Sequence, residues 1–141
     1  MGLSYHFFDH TGDIAVRIEA ASAAEVFEQA AVAMTDAVTD VATVQPAGAE
    51  HLALESPELD LLLVDFLSEL LFRFETRGWL TARAAVEIFS SDVHRLGARI
   101  EGEPLDPSRH PVKVLLKAVT YHGLEVRHRG DLWVAQVIFD I

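Results

Sequence analysis

Three short stretches hold most of the side chains able to do chemistry. The first is Asp9, His10, Thr11, Gly12, Asp13, a polar cluster set between two apolar stretches. Carboxylates around a hydroxyl, with a glycine that lets the backbone curve sharply, match the oxygen-rich spacing preferred by hard cations such as calcium or magnesium. The same residue types also end strands and form side-chain turns, so a purely structural reading stands beside the metal one.

The second stretch is the chain's end, where Asp140 follows the apolar run Trp133 to Phe139 and only Ile141 lies beyond it. Such a strand anchors two carboxylates, that of Asp140 and the α-carboxylate of Ile141, where termini are usually frayed. Their counter-charge is either a cation or a nearby lysine or arginine. The third stretch, Lys117 to His122, offers an amine, a hydroxyl and an imidazole. Strand alternation places Lys117 and Tyr121 on one face and Thr120 and His122 on the other, so they cannot all join one site unless a bulge intervenes. The remaining histidines, at 6, 51, 94, 110 and 128, show neither a helical i, i+4 pair nor zinc-ligand spacing.

The elements that must position these groups follow from periodicity. Tyr5 to Ala20 reads as two strands around the polar turn, with Ile14, Val16 and Ile18 alternating against Arg17 and Glu19. Ser22 and Glu25 have capping-box spacing and open a helix over 23–38, apolar at Val26, Phe27, Ala30, Met34, Ala37 and Val38. A short strand is expected at 51–55, Leu52 and Leu54 alternating with His51 and Glu55. Ser56 as cap and Pro57 at the first helical position then start a second helix, which ends at Gly78. Its broad stripe of Leu59, Leu62, Leu63, Phe66, Leu70 and Phe74 marks it as core. Period-two patterning predicts strands at 82–89, 93–100, 112–126 and 132–141. Gly102, Pro104, Asp106, Pro107 and Ser108 mark a loop, and Arg129 to Asp131 close a terminal hairpin. Helices early and strands late imply an α+β fold, two helices packed on a largely antiparallel or mixed β-sheet, in a single domain spanning 1–141.

Composition narrows the function. Among 141 residues, 22 acidic against 11 basic side chains leave eleven net negative charges, the opposite of a nucleic-acid binder's footprint. The absence of cysteine excludes disulfides, thiolate zinc sites, iron–sulfur clusters and cysteine nucleophiles. Neither a signal sequence nor a membrane-length apolar run is present, so a cytoplasmic protein is expected. Phosphate-cradling loops, nucleophile elbows and dinucleotide fingerprints are missing too.

Three blocks of this sequence resemble the archease family. They are Phe8 to Ile14, the helical run Leu61 to Leu71, and the ending formed by Lys117 to His122 with Phe139, Asp140 and Ile141; Thr35 to Asp40 resembles the family's first-helix end. The resemblance implies a non-catalytic cytosolic accessory protein. Its partner would be an RtcB-type RNA ligase, which it activates in tRNA splicing or RNA repair by promoting guanylylation of the ligase histidine from GTP and repeated turnover. RNA would be met only through the ligase, and no membrane is involved. The resemblance also implies a divalent cation, calcium first with magnesium or manganese as alternatives, held by Asp13, Asp140 and Ile141. Asp9, His10, Asp40 and Lys117 are further functional candidates, with turn formation, capping and solvation as their structural counterparts. Departures are Gly12, where alanine is more frequent, and Phe66 and Ser68, where tryptophan and asparagine are; none removes a ligand. A chaperone-like partner of another RNA-processing enzyme, such as a tRNA methyltransferase, and a metal-dependent hydrolase are the other readings.

Overall fold

The computed structural model describes residues 4–10 and 12–141, the side chains of Asp9 and His10 lying outside the described set together with Thr11. Strands β1 (Ser4–His10) and β2 (Asp13–Ala20) form the opening hairpin, followed by helix α1 (Ala23–Val38) and a single 3-10 turn at Val41–Thr43. Next come β3 (Gly48–Ser56), α2 (Leu59–Arg77), β4 (Trp79–Ser90) and β5 (His94–Pro104). The chain closes with β6 (Ala118–Val119), β7 (Glu125–Arg129) and β8 (Leu132–Asp140).

The expected α+β class with two helices holds, and every strand pairing is antiparallel, but the strands divide into two sheets rather than one. One sheet runs β1-β2-β8-β6, with β7 also on β8; the other runs β3-β5-β4. Both sheets and both helices contribute to one contiguous apolar core. Phe27 of α1 and Phe66 of α2, both fully buried with ring centroids 5.8 Å apart, hold the helices together there. Truncating either ring to alanine would cost about 3–5 kcal/mol. Helix α1 also guards a sheet edge, because Glu28 Oε2 accepts the Val86 N–H of edge strand β4 at 2.8 Å.

Helix α1 occupies its expected span, and the Ser22 hydroxyl accepts from Glu25 N at 3.2 Å. The start of α2 is two residues later than expected. Ser56 ends β3 instead of capping, its hydroxyl lying 3.4 Å from Glu58 N, and Glu58 becomes the cap residue while Asp60 bonds Leu61 N. At the other end Gly78 takes a left-handed φ of 72° and donates to the last carbonyls, as its type suggested.

Two strand expectations need correction. Gly102 and Pro104 belong to β5, not to a loop. Gly102 lies opposite a bulge between Thr81 and Arg83, where a Cβ would collide with the Leu80 carbonyl oxygen, so the glycine marks close backbone approach rather than a turn. The 112–126 strand survives only as β6 and part of β7. Lys113 N bonds Val38 O at the end of α1, so this run crosses the helix end without a ladder partner; Val114 and Leu116 turn inward while Val112 and Leu115 stay exposed. The alternation recorded one-sided burial. A turn at Tyr121–Leu124, with Gly123 at φ 64°, then separates β6 from β7, and Gly130 at φ 62° closes β7 onto β8 as expected.

Candidate functional site

The antiparallel register decides which chemistry-bearing residues meet. On β1 and β2, His10 lies opposite Asp13; on β2 and β8, Asp13 lies opposite Asp140; on β6 and β8, Ala118 lies opposite Asp140. One row across the open end of the sheet thus carries His10, Asp13, Asp140 and Ala118. Residues opposite one another project to the same face with Cβ atoms about 5 Å apart, and like charges so placed repel. The Asp13 and Asp140 carboxylates, both half-buried, form such a pair.

The chain end is held firmly. Lys117 N donates to the Asp140 carbonyl at 2.7 Å, and the Ile141 side chain packs against the apolar core, which places its main chain next to the row. Gly12 makes this geometry possible on the other side: its φ of 71° is the left-handed conformation, which side chains disfavour, in the tight connection between His10 and Asp13.

The remaining sequence candidates divide. Asp9 and His10 have side chains outside the described residues. Asp40 takes its structural role, its Oδ1 accepting Ala42 N at 3.1 Å at the start of the 3-10 turn. The Lys117 side chain is exposed, and alternation sets Ala118 level with Asp140 instead. Thr120 donates its hydroxyl to the Ile138 carbonyl, which commits it to structure, while Tyr121 is exposed. Among the described residues no three His, Cys, Asp or Glu side chains converge as a metal centre; the row carries two side-chain carboxylates, those of Asp13 and Asp140.

Sequence reasoning passed over two polar groupings. Asp36, near the end of α1, accepts Val41 N at 3.1 Å through Oδ1 and the Tyr5 hydroxyl at 3.2 Å through Oδ2, tying β1 to the helix. Burial, then the Asp36 charge and hydrogen bond, push the Tyr5 hydroxyl up to about 12, so it stays a donor. Asp36 and Lys113 line a cavity that reaches Asp13. A polar residue between buried Thr35 and buried Ala37 was the available signal. The second grouping is Glu103, which accepts from Arg109, Gln45 N and fully buried His110. His110 Nδ1 receives the Asp106 N–H, so its Nε2 carries the proton donated to Glu103.

An α+β protein whose opening hairpin and final strand align two carboxylates at one sheet end defines a small, acidic class of domain. The Archease protein family matches it over residues 5–141, and the chain belongs to that family. It is 38% identical to the protein archease of Methanosarcina acetivorans over 142 residues, 99% of this chain and 97% of that one. With that of Methanopyrus kandleri it shares 35% over 134 residues, 94% and 96% of the two chains. The solution structure of Methanobacterium thermoautotrophicum protein 1598 superposes with a TM-score of 0.81 at 30% identity, covering 97% of this chain and 98% of that one. A Thermotoga maritima archease, described as a possible chaperone, shares the fold with a TM-score of 0.56 at 22% identity, over 95% and 94% of the chains. Among the described residues no helix is long and apolar enough to cross a membrane.

Proposed function

We propose that this protein is a non-catalytic, metal-binding activator of an RtcB-type RNA ligase, promoting guanylylation of the ligase from GTP and its turnover in tRNA splicing or RNA repair. The observation that supports the reading best is the cross-strand register of Asp13 and Asp140, two like charges on one sheet face. A divalent cation offsets their repulsion and favours such hard oxygen donors. Asp13, Asp140 and the main chain at Ile141 would hold it, calcium first and magnesium or manganese next. Bound there, the cation would supply charge neutralisation that fixes the chain end against the opening hairpin.

The chain's eleven net negative charges suit docking on a basic, RNA-handling enzyme rather than on RNA itself. The same reading places the protein in the cytoplasm with that partner. The test is RNA joining by the ligase of the same organism, limiting in amount, with GTP and manganese, with and without this protein. Catalytic amounts should raise both guanylylated ligase and joining events per ligase. A cognate ligase that binds the protein yet gains neither would refute the activation reading.

A further inference from the structure

A cavity of about 360 Å³ opens beside Asp13, where β1, the end of α1 and the extended run before β6 meet. Its walls are mainly apolar, with Phe7, Ile14, Ala37 and Val114 contributing. The Phe7 ring is 39% exposed, braced edge-on against Tyr5 with centroids 5.8 Å apart. Charge enters through Asp13, Asp36 and Lys113.

Asp36 is held in place and still has capacity. Val41 N and the Tyr5 hydroxyl each occupy one acceptor direction on a different carboxylate oxygen, and each oxygen has a second. Lys113 Nζ stands 3.9 Å from Oδ1, too far for a hydrogen bond, on a side chain that is half exposed at the rim. The lining therefore combines the Asp36 carboxylate, the half-exposed Lys113 amine, and apolar wall that includes the Phe7 ring. A long side chain with an aliphatic stem and a cationic head matches each part: the stem lies on the apolar wall, Phe7 included, and the head finds the free acceptor directions of Asp36.

We propose that this cavity receives a lysine or arginine side chain of the ligase partner, its stem against Phe7 and Val114 and its charge toward Asp36. The proposal rests on the ligase reading and adds where and how the partner is gripped. Because Asp13 belongs to both the cavity and the carboxylate row, docking there brings the row against the partner. Binding of the full-length protein to its ligase, measured by interferometry, distinguishes the possibilities, with circular dichroism confirming that each variant is folded.

Val114→Lys places an amine inside the cavity and should weaken binding at least tenfold. Lys113→Glu removes the rim cation and adds acceptor charge, and should hold or tighten binding by a few-fold. Loss of binding in Lys113→Glu would overturn the proposal in favour of an acidic or phosphorylated guest. Binding unchanged in Val114→Lys would overturn it in favour of another docking face, leaving the activator reading intact. Failure of the unsubstituted protein to bind the ligase would overturn both.

Discussion

Glu103→Gln isolates the contribution of one buried carboxylate to the fold. The side chain is only 10% exposed and accepts from Arg109 Nη2 at 2.7 Å and Nη1 at 3.0 Å, from Gln45 N at 2.8 Å and from His110 Nε2 at 2.9 Å. The Arg109 hydrogen bonds first, then the Gln45 amide, draw its carboxyl down from 4.5 to about 2, against an opposing push from burial. At 1.36 kcal/mol per unit the shift corresponds to about 3 kcal/mol. Arg109 is 46% exposed, and solvent screening brings that nearer to 2 kcal/mol. A carboxylate with a folded pKa below its unfolded one stabilises fully above the unfolded value and loses that contribution as pH falls through the folded value. The unsubstituted protein should therefore exceed Glu103→Gln by about 2 kcal/mol in urea unfolding at pH 7, with a gap that stays level down to about pH 5. About one fifth of the gap should remain at pH 3. Taking the difference cancels the titration of acidic groups that share no partner with Glu103; Asp106, which also pairs with Arg109, is the exception. A gap that is absent at pH 7, or that persists undiminished at pH 3, would refute the argument that charge-assisted bonding at Glu103 holds the 103–110 segment.

Other consequences are simpler to state. Asp13→Asn and Asp140→Asn should each weaken calcium binding at least tenfold by calorimetry with unchanged circular dichroism; equal affinity in Asp140→Asn would sink the ligand assignment. Gly12→Ala forces a side chain into the left-handed region at an otherwise open turn, and should cost about 1 kcal/mol in urea unfolding. Gly102→Ala places a methyl group against the Leu80 carbonyl, and should cost several times more, about 3 kcal/mol or above. Thr39 is fully buried, and its hydroxyl has no hydrogen-bond partner among the described residues, so Thr39→Val should raise the melting temperature by a few degrees.

How far the sequence revealed the fold depended on whether each signal was local. Helix α1 was readable to the residue because its cap, Ser22, and its stripe from Val26 to Val38 both lie within it. The start of α2 was misplaced because Ser56 and Pro57 carry cap chemistry that β3 overrides by extending to Ser56, where it pairs with His94 of β5. The 112–126 run shows the deeper problem: alternation reports which side of an extended chain is buried, and a run packed across a helix end produces the same pattern as a laddered strand. Gly102 misled in the opposite sense, since glycine marks close backbone approach as well as turns, and its meaning depended on a bulge in a different strand.

The candidate site divides along the same line. Asp13 and Asp140 were legible as candidates, because carboxylates stand at a turn and at an anchored strand end. That they face each other was not, because the pairing of β2 with β8 is a tertiary fact involving opposite ends of the chain. Asp36 was missed because one acid on an amphipathic helix looks like solvated surface until Tyr5 is laid across it. These two facts share a physical origin. β2 is flanked by β1 on one side and β8 on the other, so the hairpin that carries Asp13 is fixed both by its pairing to the chain end and, through Tyr5, by the end of α1. Charge on the carboxylate row and occupancy of the cavity beside it therefore act on one hairpin.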